Sequence, residues 1–187
     1  MEVLHTFVVL AYKESHYLEE CIKSVLNQKY QSKVVIATST PNDYITSLAK
    51  KYKLEIKENT GKKGIGYDFD FAIHCGDTEL VTVAHQDDLY DYEYSDYMVR
   101  AYQKQPNSLI LFPDYYEIRK EKKVYNNLNL IIKKILLFPL RLRGLSKFKF
   151  MKRSALRFGD AISCPSVTFV TKNIPKDVFA SDLKGNI

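Results

Sequence analysis

Apolar and polar positions alternate along the chain between short continuous apolar runs and stretches of helical periodicity. Thr6-Phe7-Val8-Val9-Leu10 is a β-branched run of the kind that forms a strand buried on both faces. Leu18, Cys21, Ile22, Val25 and Leu26 then recur at three-to-four spacing with Glu19, Glu20 and Lys23 opposite, which predicts an amphipathic helix. Val34 to Ala37 is a second buried strand. Thr40-Pro41-Asn42-Asp43 predicts a helix start, with Thr40 as N-cap and Pro41 preset at the first helical position; the helix turns Ile45, Leu48 and Ala49 inward and ends near Lys51. Leu54 to Lys57 alternates and reads as a strand nearer the sheet edge. A glycine-rich loop, Asn59 to Gly66, leads into a helix over Asp68 to His74 with Phe69, Ala72 and Ile73 on one face. Leu80 to Ala84 is a third buried run, Tyr92 to Lys104 a tyrosine-rich amphipathic helix, and Leu109 to Phe112 a further strand.

Past Tyr115 the pattern changes. Tyr116 to Arg119 and Lys123 to Tyr125 pair as a hairpin around Lys120-Glu121-Lys122. Leu128 to Leu142 is apolar but interrupted by Lys133, Lys134, Pro139 and Arg141, a second basic helix covers Lys147 to Arg157, and Ser166 to Val170 is strand-like. Strands alternating with helices predict an α/β fold, a mostly parallel, Rossmann-like sheet flanked by helices. The division expected is a core over 1–125 and a basic, amphipathic helical segment over 126–187. Ligands of such sheets bind beyond the carboxyl ends of the strands. That rule gathers Ala11-Tyr12, Thr38-Ser39, the glycine-rich loop and Asp87-Asp88 along one edge.

Charge sharpens the division. The 187 residues carry 28 basic and 22 acidic side chains, yet Tyr125 to Phe158 holds nine Lys or Arg and no acid, so the basic character belongs to one segment. Three cysteines, Cys21, Cys75 and Cys164, show no CxxC spacing and predict neither a disulfide framework nor a zinc site. The N-terminus enters a strand at once, without the layout of a signal peptide, and no apolar run approaches the ~20 residues that span a bilayer. The expectation is a cytoplasmic protein, peripheral to the inner face of a membrane. For the segment 128–157, apolar residues mixed with Lys and Arg suit an anionic membrane surface; a core-packing helix with solvated lysines fits as well. No nucleic-acid-reading motif accompanies it, and no nucleic-acid partner is expected.

The candidate chemistry starts at Asp87-Asp88, adjacent acids directly after a buried strand. Mg²⁺ or Mn²⁺ takes one or two carboxylates together with substrate phosphates, and these residues suit that arrangement; a polar turn with Asp as a helix cap is the plain alternative. Tyr12 could stack on a nucleobase, or be one rim tyrosine among 14. Gly61-Lys62-Lys63-Gly64 could offer backbone N–H groups and ammonium charge to a diphosphate, although it matches neither a P-loop nor a dinucleotide fingerprint. Of the four histidines only His85 stands beside the acids, and no HExxH, GxSxG or persuasive cysteine nucleophile occurs.

Taken together, the run from Phe7 to Ser15, the helix from Tyr17 to Gln28 and the motif His85-Gln86-Asp87-Asp88 resemble family 2 glycosyltransferases with the GT-A fold, over about His5 to Phe112. The resemblance implies Ala11, Tyr12 and Glu14 at the uridine pocket. Thr38 and Ser39 stand where the family usually places an aspartate that reads the base. It implies Gly61, Lys62 and Lys63 near the diphosphate, Asp68 where a loop and helix close on the nucleotide, and His85, Gln86 and Asp87 on the donor. Asp87, with Asp88 beside it, matches the metal carboxylate of the family's DxDD motif. Two departures stand out: Thr38 replaces the base-reading aspartate, and His85 replaces the first acid. The family continues past a strand like Cys164-Pro165-Ser166-Val167-Thr168 to an acidic general base, often just before a tryptophan. This sequence has no tryptophan, and Asp182 is the late acid to nominate, with the base itself expected beyond Ile187 in a longer chain.

The implied function is metal-dependent, inverting transfer from a nucleotide-sugar, a UDP-sugar by this pattern, to a polysaccharide or lipid-linked acceptor, with Mn²⁺ or Mg²⁺ as cofactor. A sugar-phosphate nucleotidyltransferase is the nearest alternative, although Ala11-Tyr12-Lys13-Glu14 lacks that class's glycines. A non-catalytic nucleotide-binding or membrane-docking module is the other.

Overall fold

A computed structural model describes residues 3–120, 122–142, 144, 148–157, 161–176 and 178–179. They form two compact units, one of residues 1–111 with 167–187 and one of 112–166. Compactness thus divides the chain at 111/112 and 166/167, where the hydrophobic pattern suggested 125/126.

The first unit is a six-stranded sheet in the order β3-β2-β1-β4-β8-β5. Strands β1 (His5–Ala11), β2 (Lys33–Thr38), β3 (Glu55–Glu58) and β4 (Leu80–His85) are parallel. β8 (Thr168–Val170) runs antiparallel between β4 and β5 (Ile110–Leu111). Helices α1 (Leu18–Leu26), α2 (Asp43–Tyr52), α3 (Ile65–Cys75) and α4 (Tyr94–Lys104) make the crossovers. β1 reads as an unbroken apolar run because both its faces are covered. Phe7, Val9 and Ala11 join Leu18, Ile22, Ile36, Ile45 and Met98 in one core cluster, while α3 packs against β1, β2 and β4. Each such fully buried aliphatic or aromatic side chain contributes about 1.5–3 kcal/mol.

Two boundaries differ from expectation for local reasons. α2 begins at Asp43, because Asn42 and not Thr40 is the N-cap: the Asn42 side chain accepts the Ile45 N–H at 2.9 Å. α3 begins at Ile65, three residues early, on Gly64, whose φ of +137° suits glycine alone.

The second unit holds the hairpin β6 (Glu117–Arg119) with β7 (Lys122–Val124), then α5 (Leu128–Arg141) and α6 (Lys149–Arg157). Asn127 caps α5 through Leu130 N–H and donates to Glu117, tying hairpin to helix. Leu137 and Ala161 form its small core with Phe112, Leu136, Leu140 and Ile162.

Among the core residues runs a buried polar ladder. His5 Nδ1 meets Ser32 Oγ and His5 Nε2 meets Thr82 Oγ1, each at 2.8 Å. Thr82 continues to Thr168 at 2.7 Å, and Tyr94 closes the ladder on Thr168 at 2.9 Å. It links β1, β4 and β8: Thr82 and Thr168 are register partners, and His5 reaches Thr82 diagonally, two residues before its register partner Phe7. Burial holds the His5 imidazole down at about 3 against an ordinary 6.5. The unfolded chain therefore takes up a proton here that the folded protein refuses. Stability from this group is full above pH 6.5 and falls as pH drops towards 3, by at most about 1.4 kcal/mol per pH unit. The expected outcome is that the urea-unfolding free energy of the wild type falls by about 2 kcal/mol more than that of His5→Asn between about pH 7 and pH 5.

Candidate functional site

The order β3-β2-β1-β4 places the topological switch between β1 and β4, and ligands of such sheets bind there, beyond the carboxyl ends of the strands. Leu10 and His85 are register partners there. Just past them Gln86 clamps the loop after β1: its Oε1 accepts Tyr12 N–H and its Nε2 donates to Tyr12 C=O, each at 3.0 Å. Ala11 is buried under this clamp, whereas Tyr12 is 51% exposed and presents its ring to solvent. Lys13 follows at φ +55°, a left-handed conformation held by its N–H to Thr40 Oγ1 at 2.6 Å. Thr40, expected as a helix cap, thus secures the loop that carries Tyr12. Glu14 is exposed on that loop.

At the end of β2, Thr38 and Ser39 are buried and committed to internal bonds. Thr38 Oγ1 accepts Thr40 N–H at 3.0 Å, and Ser39 Oγ donates to Asp68 Oδ2 at 2.9 Å. The other carboxylate oxygen of Asp68 accepts Asn59 Nδ2 at 2.8 Å. Asn59 in turn donates to Lys62 C=O at 3.1 Å and accepts Gly61 N–H at 3.0 Å, which folds the glycine-rich loop over its amide. Asp68 therefore braces Ser39 and the loop from within and supports the crevice from behind. Lys62 and Lys63 are left exposed at the loop tip, Lys62 with its Nζ 5.4 Å from the Tyr67 ring centre.

The acids close the other side. Ligand atoms of His85, Asp87 and Asp88 lie within 4.8 Å of one another, close to the ~3–4 Å separations around one divalent ion with bonds of about 2.1 Å. Asp87 is exposed. The Asp88 carboxyl is raised to about 6, by burial first and by Asp87 second. Burial also lowers the His85 imidazole against the opposing pull of Asp87. The ring is then neutral near pH 7, the form that ligates metals, and its 3.8 Å approach to Asp88 is not an ion pair. His85 Nε2 is buried with no hydrogen-bond partner among the described residues, and the Phe69 ring stands edge-on 5.1 Å away. Below, the Cys21 thiol donates to His85 C=O at 3.2 Å and burial pushes it up to about 12, so it is no nucleophile.

Two supporting residues escape sequence analysis. Asn59 carries only the weak signal of an Asx turn into Gly61. Asp70 carries none: its Oδ1 accepts the N–H groups of Val178 and Phe179 at 2.9 and 3.0 Å, fastening the chain after β8 onto α3. Phe179 then packs on Phe69 at 5.0 Å, one ring from His85. Asp182, nominated as general base, lies outside the described residues.

A mostly parallel six-stranded sheet flanked by helices, with a candidate ion site at its switch point, is the architecture of GT-A glycosyltransferases. Residues 6–172 match the model of glycosyl transferase family 2, and the chain belongs to that family. Similar solved structures include the mannosyltransferase PcManGT from Pyrobaculum calidifontis in complex with GDP-Man and Mn²⁺, at 20% identity over 63% of this chain and 36% of that one, TM-score 0.52. S. aureus TarS matches at 19% identity over 59% of this chain and 21% of its own, TM-score 0.51. TarS 1-349 in complex with UDP matches at 19% over 59% and 35%, TM-score 0.51. The chain thus spans 36% or less of the length of these structures. No curated protein matches the sequence.

Removing the Asp68 brace leaves Ser39 and Asn59 without their acceptor. Asp68→Ala is expected to cost about 2–4 kcal/mol in denaturant unfolding, while Asp68→Asn, which keeps one acceptor oxygen, costs less.

Proposed function

We propose that this chain binds the donor in a metal-dependent, inverting glycosyltransferase that moves a sugar from a UDP-sugar to a hydroxyl of a polysaccharide or lipid-linked acceptor. The observation that carries the proposal is the His85, Asp87 and Asp88 cluster at the carboxyl end of β4, next to the exposed Tyr12 ring on the clamped loop. The complexes of PcManGT with GDP-Man and Mn²⁺ and of TarS 1-349 with UDP support a nucleotide-sugar and a divalent ion in this crevice.

In this proposal Asp87 is the principal ligand of Mn²⁺ or Mg²⁺, with Asp88 and His85 completing the protein's share. The bound ion would neutralise charge on the departing diphosphate. Tyr12 offers its face to the base, and Glu14 lies on the same loop. Lys62 and Lys63 bring ammonium charge to the phosphates, where pre-placed cations favour the leaving group. Thr38, Ser39, Gly61 and Asp68 shape the wall behind them, and Gln86 sets the Tyr12 backbone. No carboxylate among the described residues is assigned to the acceptor's proton. No described helix is long and apolar enough to cross a membrane.

Calorimetry of UDP binding is expected to show affinity rising about tenfold or more with Mn²⁺, a gain that Asp87→Ala abolishes. Metal-independent binding of equal strength would count against the proposal. Because Asp88 releases its proton only near pH 6, the Mn²⁺ gain is expected to shrink as pH falls through that value, since proton and ion compete for the carboxylate.

A further inference from the structure

Helix α5 is apolar on two opposite sides. One side is spent: Leu130 and Leu137 are buried within the second unit, Leu137 in its small core. The other side carries Leu128, Ile131, Ile132, Ile135 and Phe138, all exposed, Ile135 to 65% and Leu128 to 74%, and the exposed Leu142 follows just past the helix end. At 100° per residue the five helical positions fall in a stripe about 120° wide with no polar residue inside it, because Pro139 is the other side chain there. The stripe spans about three turns of the helix, and the helix does not need it for its own packing. Exposed aliphatic residues are common singly, but a continuous stripe of this length marks a surface that something covers.

Charge says what covers it. The unit from Phe112 to Ser166 holds 13 basic and 4 acidic residues, a net of +9, while the rest of the chain holds 15 basic and 18 acidic. On α5 itself the cations are occupied: Arg141 pairs with Asp114, Lys134 donates to Tyr125 C=O at 2.8 Å, and Lys133 lies 5.4 Å from the Tyr115 ring centre. On α6, Lys149, Lys152, Arg153 and Arg157 are exposed and take part in no ion pair among the described residues. Next to these cations Phe148 and Phe150 are exposed, Phe150 to 74%. An aliphatic stripe gains nothing from a nucleic-acid backbone, and an unpaired cationic helix gains little from an ordinary protein surface. Both gain at the boundary between acyl chains and anionic headgroups, where apolar side chains enter the chain region and Lys and Arg stay with the phosphates. At 14 residues α5 is too short to cross a bilayer and long enough to lie along one.

We propose that the outer face of α5, with the cations and phenylalanines of α6, docks this protein in plane on an anionic lipid surface. This proposal uses none of the residues assigned to the donor, so it stands or falls apart from the donor-binding proposal. Because the sequence has no tryptophan, Ile135→Trp gives a single reporter on the stripe.

The test uses the full 187-residue chain with phosphatidylcholine vesicles and with vesicles in which about a third of the lipid is phosphatidylglycerol. The expected result is flotation with the anionic vesicles at least about tenfold stronger than with the neutral ones, with a blue shift of the indole emission in the Ile135→Trp variant. Ile132→Ser/Ile135→Ser, both at exposed positions, is expected to lose about tenfold or more of this binding with an unchanged unfolding midpoint and unchanged UDP affinity. Lys152→Gln/Arg153→Gln is expected to weaken the preference for anionic lipid. Equal binding to both vesicle types, no binding, or binding that survives the double serine change would overturn the proposal. So would lipid-free self-association abolished by the same double change, which would assign the stripe to a second copy of the chain.

Discussion

The parallel pairing of β1 with β4 is the constraint on which the candidate site depends. The two strands are more than 70 residues apart in sequence, and their register sets Leu10 beside His85. A shift of one residue would turn every apolar side chain of a buried strand to its other face, so the packing of Phe7, Val9 and Ala84 in the core also fixes which residues emerge at the strand ends. Tyr12 and the acids are therefore placed by the core. The Gln86 amide then adds the last adjustment, holding one peptide of the β1 loop by both its N–H and its C=O. Burial at this position also prepares the chemistry. It keeps the imidazole of His85 neutral and makes Asp88 reluctant to ionise, so that a cation binding there would relieve a cost the fold has already met.

A second layer of polar residues works behind the first. Asp68 is fully engaged by Ser39 and Asn59, Asn59 by the glycine-rich loop, and Thr40 by the strained Lys13 backbone. None of these groups needs to meet a ligand to matter. Their effect is to replace the freedom of three loops with one arrangement, which lowers the ordering cost that a bound molecule would otherwise bear.

Much of this was legible in the residues, and the exceptions have physical reasons. The buried runs of β1, β2 and β4 and the helical periodicity of α1 and α4 depend on local patterns, and each appears where those patterns put it. The motif from His85 to Asp88 stood out because acids directly after a fully buried strand are locally unusual. Thr40 reads as a cap because Thr-Pro-Asn-Asp offers two good capping residues, and in the fold Thr40 is taken by the Lys13 N–H while Asn42 caps the helix. Asn59 and Asp70 were silent because their partners include residues nine and more than a hundred positions away. Ser166 to Val170 reads as a strand, but only Thr168–Val170 is one, Ser166 closing a 3-10 turn before it, and its place between β4 and β5 is decided by pairing partners that no local pattern records. The outward side of α5 could not be told from its inward side, since both are apolar.

The position of β8 has a consequence for how this protein can be rearranged. Leu111 and Thr168, the residues at either side of the second unit, are antiparallel register partners in the finished sheet. Everything from Phe112 to Val167 is thus, topologically, one long hairpin connection whose two ends already lie side by side. A flexible connection can be lengthened with little change in the entropy of closing it, about 0.6 kcal/mol for each doubling. The described candidate site residues lie on β1, β2 and β4, in the loops that follow β1 to β4 and on α3, none of which belongs to this connection. The segment between β5 and β8 is therefore a place where the chain can change length without a change in the register of the sheet.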